Sequence, residues 1–89
     1  MKSRTTPDFR VAIAALPAQV RAQCRAAYRL FAENPRHTGL QFKKVHPSRP
    51  VYSARVSRRY RAVCILEGDT AVWFWVGSHA EYDRLLAQL

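Results

Sequence analysis

The sequence has few acidic residues. Six Asp and Glu residues stand against fifteen Lys and Arg residues in 89 positions, so the formal net charge is +9. A positive charge of this size favours a polyanion or an acidic protein as a partner. A basic surface that is simply solvated is the alternative, and the charge alone does not exclude it.

Cysteine is also scarce, and long apolar runs are absent. Cys24 and Cys64 lie far apart, without a C-x-x-C motif or a Cys/His spacing around them, which predicts two buried free thiols rather than a disulfide or a metal site. The N-terminus lacks the apolar run of a secretion signal, and no segment approaches membrane-spanning length. We therefore expect a cytoplasmic protein with no membrane partner.

The motifs of several enzyme classes are missing as well. The sequence contains no P-loop, dinucleotide-binding, serine-hydrolase or zinc motif, and its carboxylates suggest no glycosidase pair. We expect neither a metal nor another cofactor. With 89 residues the chain can form one small domain, residues 1–89, with a modest core.

Two helices are predicted in the first third of the chain. Pro7 and Pro17 are each placed to be the first residue of a helix, and Asn34-Pro35 ends the second helix. Apolar residues recur at helical spacing in both segments. The inner faces carry Phe9, Ala12, Ile13 and Leu16, then Val20, Cys24, Ala27, Tyr28 and Phe31. The two helices should pack as an antiparallel hairpin.

The second helix also carries a basic ridge. Arg21, Arg25 and Arg29 follow one another at intervals of four residues, so like charges are neighbours on one face. A solvated face is the simplest interpretation for an isolated ridge. The ridge could also contribute to a surface that binds nucleic acid or an acidic protein.

Alternating apolar residues predict strands over 40–45 and 52–56, and strands that are apolar on both faces are predicted within 60–66 and over 71–76. Gly68 tolerates the positive φ of a hairpin turn between the last two strands. Residues 1–6 are polar and form either a ragged end or a short edge strand. Strict alternation along the last strand places Trp73 and Trp75 on one face, and Phe74 and Val76 on the other.

A third helix is predicted from residue 79. Ser78-His79-Ala80-Glu81 has the pattern of a capping box, in which the Ser78 hydroxyl and the Glu81 carboxylate cap the helix start. The sequence thus predicts an α+β fold. An N-terminal helical hairpin packs on a small twisted antiparallel β-sheet, and a short C-terminal helix follows.

The candidate catalytic residues are an imidazole, two guanidinium groups and a phenol. His79 lies at the start of a helix, and an imidazole is a side chain suited to proton transfer. Arg55 and Arg61 can grip phosphate oxygens in pairs. Tyr82 could donate a hydrogen bond or stack on a base, although anchoring its helix is an equally good interpretation.

Further basic residues are candidates for binding RNA. Lys43, Lys44 and His46 could position phosphates, and Arg58 and Arg59 could steer the ligand. Taken singly, each of these residues also fits a solvated role. Together with the candidate catalytic residues they match the needs of in-line RNA cleavage, which are a base, an acid and positive charge around the phosphorane.

The order of elements resembles the RelE/ParE superfamily of type II toxins, in particular its RelE-like mRNA interferases. The resemblance is carried by the strand with Tyr60-Arg61 and by the strand ending in Val76-Gly-Ser-His79. It implies metal-independent mRNA cleavage, in some members on the ribosome, and inhibition by a cognate antitoxin, here expected to be acidic. Ser53 stands where the best-known members of the family have Lys.

The resemblance leaves two other functions open. A ParE-like toxin of the same fold would poison a protein target such as DNA gyrase, without nuclease chemistry. A non-catalytic nucleic-acid-binding module would keep its affinity after His79→Ala, and that affinity would follow salt concentration.

Overall fold

The chain folds into a five-stranded mixed β-sheet with three α-helices, in a computed structural model that describes residues 1–89. The elements in chain order are β1 (Lys2–Thr5), α1 (Pro7–Ala14), α2 (Ala18–Glu33), a 3₁₀ turn (Thr38–Leu40), β2 (Lys43–Lys44), β3 (Val51–Arg55), β4 (Tyr60–Glu67), β5 (Thr70–Ser78) and α3 (His79–Gln88). The strand order in the sheet is β1-β5-β4-β3-β2. The predicted α+β class, helical hairpin and third helix are confirmed.

The prediction of a purely antiparallel sheet is wrong at one edge. Strand β1 pairs in parallel with β5, with Lys2 opposite Thr70 and Thr5 opposite Trp73. The Trp73 indole N–H also donates a hydrogen bond of 3.2 Å to Ser3 Oγ. Residues 1–6 therefore supply the short edge strand, and not a ragged end.

The predicted strand over 40–45 is mostly replaced by a turn. Only Lys43 and Lys44 pair with β3, while Leu40 ends the 3₁₀ turn and is buried. Gln41 follows with a φ of 46°, in the left-handed region, and this conformation cannot continue a strand. The backbone reversal at Gln41 thus shortens β2 to two residues.

The helical hairpin covers one face of the sheet. Thr6 caps α1 by accepting a hydrogen bond of 3.2 Å from the Phe9 N–H, and Pro17 is the N-cap of α2, one residue before the helix begins. Phe31 of α2 packs edge-on against Trp73, with ring centroids 5.2 Å apart. The main core lies between the hairpin and this face, which we call the hairpin face. It contains Phe31, Leu40, Ala54, Ala62, Cys64, Ala71, Trp73 and Val76.

A β-bulge in β5 corrects the predicted placement of the tryptophans. Val63 lies opposite Trp75 and Cys64 lies opposite Trp73, so Phe74 is an extra residue on its strand. One extra residue reverses the side on which the following side chains emerge. Trp73 therefore packs in the main core, whereas Trp75 lies on the opposite face of the sheet.

Helix α3 covers part of that opposite face, which we call the α3 face. The predicted capping box is present: Ser78 Oγ accepts from the Glu81 N–H at 3.2 Å, and Glu81 Oε1 accepts from the Ser78 N–H at 2.8 Å. Tyr82 of α3 forms a second, smaller core with Val51 and Val63. None of the three helices combines the length and apolarity needed to cross a membrane.

Candidate active site

Arg61 is a buried cation on the α3 face. It lies in β4 between Arg55 of β3 and Gly77 of β5, and it is 5% exposed. Its Nη2 donates to Ser53 Oγ at 3.0 Å and to the Gln41 carbonyl oxygen at 3.4 Å, and its Nη1 donates to Gln41 Oε1 at 3.3 Å. The Nε–H is buried without a partner. The hydrogen-bond acceptors of this cation are therefore all neutral oxygens.

The ring of Tyr82 lies over the Arg61 guanidinium. The Arg61 Cζ is 5.2 Å from the ring centroid, a distance at which a cation–π attraction operates. The Tyr82 hydroxyl donates to Ser53 Oγ at 3.0 Å, so Ser53 accepts from both side chains. Tyr82 is itself only 5% exposed. Its hydroxyl is thus occupied inside the fold.

His79 lies beside Tyr82 but on the surface. The two ring centroids are 5.7 Å apart, and His79 Nε2 is 3.9 Å from Asp83 Oδ1 one turn later in α3. The His79 backbone N–H donates to the Arg59 carbonyl oxygen at 2.7 Å, which fixes the helix start against β4. The structure therefore connects His79 to Arg61 through the Tyr82 ring.

Local sequence explains why α3 begins at this place. Gly77 allows the close approach of the Trp75 ring, since a Cβ at Gly77 would lie 2.7 Å from two ring atoms. The capping box then starts the helix at the next residues. Hydrogen bonds from the Ser78 backbone N–H and from its side chain lower the pKa of the Glu81 carboxyl, so Glu81 caps as a carboxylate.

The other predicted site residues are divided between the two faces. Lys43 pairs with Ser53 and Lys44 pairs with Tyr52, and because cross-strand partners share a face, Lys43 lies on the α3 face and Lys44 on the hairpin face. Arg55 pairs with Arg61. It also lines a shallow groove of about 220 Å³ on the α2 side, so it is not confined to the surface that carries His79.

Arg58 and Arg59 are exposed in the turn between β3 and β4. His46 has both ring nitrogens occupied: Nδ1 accepts from the N–H groups of Ser48 and Arg49, and Nε2 is 3.1 Å from the Leu89 carbonyl oxygen. The structure thus brings His79, Tyr82 and Arg61 together, with Arg59 beside them, whereas His46 serves its own loop.

Sequence reasoning missed the two residues that hold the guanidinium. Ser53 is fully buried in β3, and strand alternation places it on the same side as Arg55, which was the available signal. Gln41 reaches Arg61 only because its own backbone adopts the left-handed conformation. Nothing in the pattern around Gln41 indicates that conformation. No three His, Cys, Asp or Glu side chains converge as metal ligands would.

A second surface feature lies on the hairpin face. An apolar cleft of about 540 Å³ opens between the helical hairpin and the sheet, floored by residues that include Phe9, Ile13 and Trp73. Its lining carries four cations, Arg10, Arg21, Arg25 and Arg29, and no carboxylate. The guanidinium groups of Arg10 and Arg21 bind backbone oxygens of this region.

The site thus lies in a basic α+β domain, with a helical hairpin on one face of a mixed sheet and a buried cation beneath the last helix. The sequence model of the ParE-like toxin domain family matches residues 18–84 of this chain. The chain therefore belongs to the ParE-like toxin domain family, and it is a toxin of the RelE/ParE superfamily of toxin–antitoxin systems.

Solved structures share this fold at low sequence identity. The RelB-RelE antitoxin-toxin complex from Methanococcus jannaschii matches with a TM-score of 0.73 and 18% identity, over 91% of this chain and 96% of that chain. YafQ from E. coli strain BL21(DE3) matches at 0.70 and 15%, over 91% and 96%. The isolated E. coli RelE toxin matches at 0.63 and 17%, over 99% and 98%. No curated protein sequence is significantly similar to the chain.

Proposed function

We propose that this toxin inhibits translation by cleaving mRNA without a metal, at the site formed by His79, Tyr82 and Arg61. One observation carries the proposal: the Arg61 guanidinium, which has no carboxylate partner, and the exposed His79 imidazole both lie against the ring of Tyr82. The similarity of the fold to RelE and YafQ is consistent with it.

The chemistry needs only the RNA and the side chains of the site. The RNA 2′-oxygen attacks the adjacent phosphorus and forms the O2′–P bond, while the P–O5′ bond breaks. The products are a 2′,3′-cyclic phosphate and a 5′-hydroxyl. A base takes the 2′-hydroxyl proton and an acid gives a proton to the departing O5′. His79 is the accessible group for one of these transfers, and Arg61 is the group that stabilises the extra negative charge of the phosphorane.

The decisive experiment removes the imidazole. His79→Ala should lower cleavage by about 10²- to 10⁴-fold, the range that one general acid or base contributes. Cleavage is measured by primer extension on transcripts after induction, and with purified protein on RNA, with and without ribosomes. His37→Ala is the matched control, because His37 is exposed, lies outside the site and makes one local bond, in which its Nδ1 accepts from the Gly39 N–H. Discrete cuts at the unsubstituted level in the His79→Ala protein would remove His79 from the mechanism. The absence of discrete cuts by the unsubstituted protein would refute the nuclease.

A ParE-like toxin that poisons a protein target is the second candidate. It is favoured by the fact that the Tyr82 hydroxyl and the Arg61 guanidinium are already bonded within the fold, leaving His79 as the exposed member of the three. Such a toxin would arrest growth without discrete cuts in transcripts, and His79→Ala would keep that arrest. The same primer-extension experiment therefore separates the two functions.

We also propose that an acidic segment of a cognate antitoxin binds the apolar cleft on the hairpin face. The cleft has an apolar floor, and the charged side chains in its lining are all positive. Of these, Arg25 and Arg29 are exposed. An amphipathic acidic segment satisfies both features. The M. jannaschii relative was solved as an antitoxin-toxin complex, which supports a partner of this kind.

Charge reversal tests this antitoxin surface. The product of the neighbouring reading frame is co-expressed with the toxin and recovered by pull-down. Arg25→Glu with Arg29→Glu should abolish the recovery of an acidic partner. Arg58→Glu with Arg59→Glu, in the exposed turn between β3 and β4 and outside the lining of the cleft, is the matched control and should leave it intact. Equal recovery from both double variants would place the antitoxin elsewhere.

A further inference from the structure

We propose that α3 is a displaceable cover over an anion-binding site at Arg61, and that a phosphate group of bound RNA takes the place of the Tyr82 ring. This inference rests on the proposed action on RNA and adds a regulatory step to it. In the free protein the guanidinium would be closed off, and RNA binding would open it.

The present acceptors do not satisfy all the hydrogen-bond donors of the Arg61 guanidinium. A guanidinium has five N–H donors, and here its acceptors are supplied by Gln41 and Ser53 alone. The two bonds to Gln41, at 3.3 and 3.4 Å, lie at the long end of the hydrogen-bond range. The Nε–H has no acceptor. A phosphate would supply charge and paired oxygens, which this environment lacks.

One buried side chain anchors α3, within the second core that it forms with Val51 and Val63. Tyr82 is the one buried residue of α3, and Leu85 and Leu86 are only half-buried. The Tyr82 ring lies over the Arg61 guanidinium, and its hydroxyl is bonded to the same Ser53 that accepts from Arg61. Moving this one side chain would expose the guanidinium and the Ser53 hydroxyl together.

The surroundings favour a polyanion over a small neutral ligand. Lys43 pairs with Ser53 across the strands and is exposed on the same face. Arg59 is exposed where its carbonyl oxygen meets the first residue of α3. An RNA strand reaching the covered cation would therefore pass between two accessible positive charges, consistent with a backbone phosphate as the displacing group.

The first test measures affinity for a 2′-O-methyl RNA oligonucleotide, which binds but lacks the hydroxyl needed for cleavage. Tyr82→Ala should raise the affinity by about tenfold, the combined effect of one cation–π contact and one hydrogen bond. Tyr82→Phe, which keeps the ring, should give a smaller gain. Adding Arg61→Ala should remove the gain. Tyr28→Ala is the control, because Tyr28 is an exposed tyrosine on α2.

The second test needs no substitution and so does not depend on the variants folding. Hydrogen exchange of backbone amides is measured for the unsubstituted protein with and without saturating oligonucleotide. Amides of α3 after Tyr82 should exchange faster when RNA is bound, whereas those of α2 should not. Unchanged or slower exchange in α3, or a gain in affinity that survives Arg61→Ala, would overturn the cover while leaving RNA cleavage intact. Failure of every variant to bind the oligonucleotide would overturn the cover and the proposed function together.

Discussion

Arg61 and Tyr82 hold each other in place inside the fold, and this changes how their substitution should be interpreted. Burying a guanidinium among neutral acceptors is unfavourable unless other groups compensate it, and here the Tyr82 ring and Ser53 provide part of that compensation. Exposed arginines such as Arg58 carry no such constraint. Loss of charge at Arg61 and loss of charge at Arg58 should therefore have different consequences for activity.

The arginine comparison is the first prediction. Arg61→Ala should lower RNA cleavage by about 10²- to 10³-fold if its guanidinium stabilises the phosphorane, the size seen when one such donor is removed. Arg58→Ala should change cleavage only a few-fold, since the turn arginine acts by steering alone. Initial rates on one RNA substrate give both numbers, and circular dichroism checks the fold of each variant. Equal losses in the two variants would contradict the assignment to Arg61.

The two thiols give a second prediction, on pH. Burial raises the pKa of the Cys64 thiol to about 12, and burial also raises that of Cys24 although the nearby Arg25 opposes the rise. Because the thiolate is the reactive form, Cys64 in a Cys24→Ser background should resist DTNB at about pH 8 until the protein is unfolded. The folded pKa is the higher one, so the stability from the neutral thiol is complete below the unfolded value and declines as pH rises from there towards 12. Native-state labelling as fast as that in denaturant would refute this.

At the scale of elements, local signals were sufficient for the helices. The prolines at 7 and 17, the Thr6 cap and the Ser78 capping box act through neighbouring residues, and all four features can be recognised in the sequence. The capping box also sets where His79 emerges. Helix α3 should therefore depend measurably on the Ser78 hydroxyl.

Removing that hydroxyl is the third prediction. Ser78→Ala should destabilise the protein by about 1 kcal/mol, as expected for loss of an N-cap, and should speed amide exchange in α3. Urea unfolding and hydrogen exchange measure the two effects. Ser48→Ala is the control, because Ser48 is exposed in a loop and its hydroxyl makes no hydrogen bond. A loss confined to the control, or no change in α3, would contradict the role of the cap.

The strands show where sequence reasoning ends. The parallel pairing of β1 with β5 joins residues that are far apart in the chain, and its four mostly exposed residues give no apolar alternation to indicate it. The bulge at Phe74 depends on how β5 fits β4, and a single extra residue moved Trp75 to the opposite face. The candidate residues could be named from the sequence. The burial of Arg61 beneath Tyr82 could not, because it depends on how distant segments of the chain pack together.

At the scale of the whole molecule, the net charge of +9 is distributed over both faces of the sheet. Arg25 and Arg29 border the apolar cleft on the hairpin face. Lys43 lies on the α3 face, and Arg58 and Arg59 are exposed in the turn whose Arg59 carbonyl oxygen accepts from the first residue of α3. A total charge does not distinguish these two surfaces, but a salt titration of variants does, because each phosphate contact contributes separately to the salt dependence of binding.

The fourth prediction uses that dependence for the 2′-O-methyl oligonucleotide. With about four phosphates contacted by the α3 face, the logarithm of the association constant should fall with the logarithm of salt concentration with a slope of about −3, at about 0.7 per contact for a single strand. Arg58→Gln with Arg59→Gln should reduce the size of the slope by about 1.4, since two contacts are lost. Arg25→Gln with Arg29→Gln removes the same charge from the hairpin face and should leave the slope unchanged. If both double variants reduced the slope equally, RNA would contact the positive charges of both faces alike. That result would contradict the assignment of the α3 face as the RNA-binding surface.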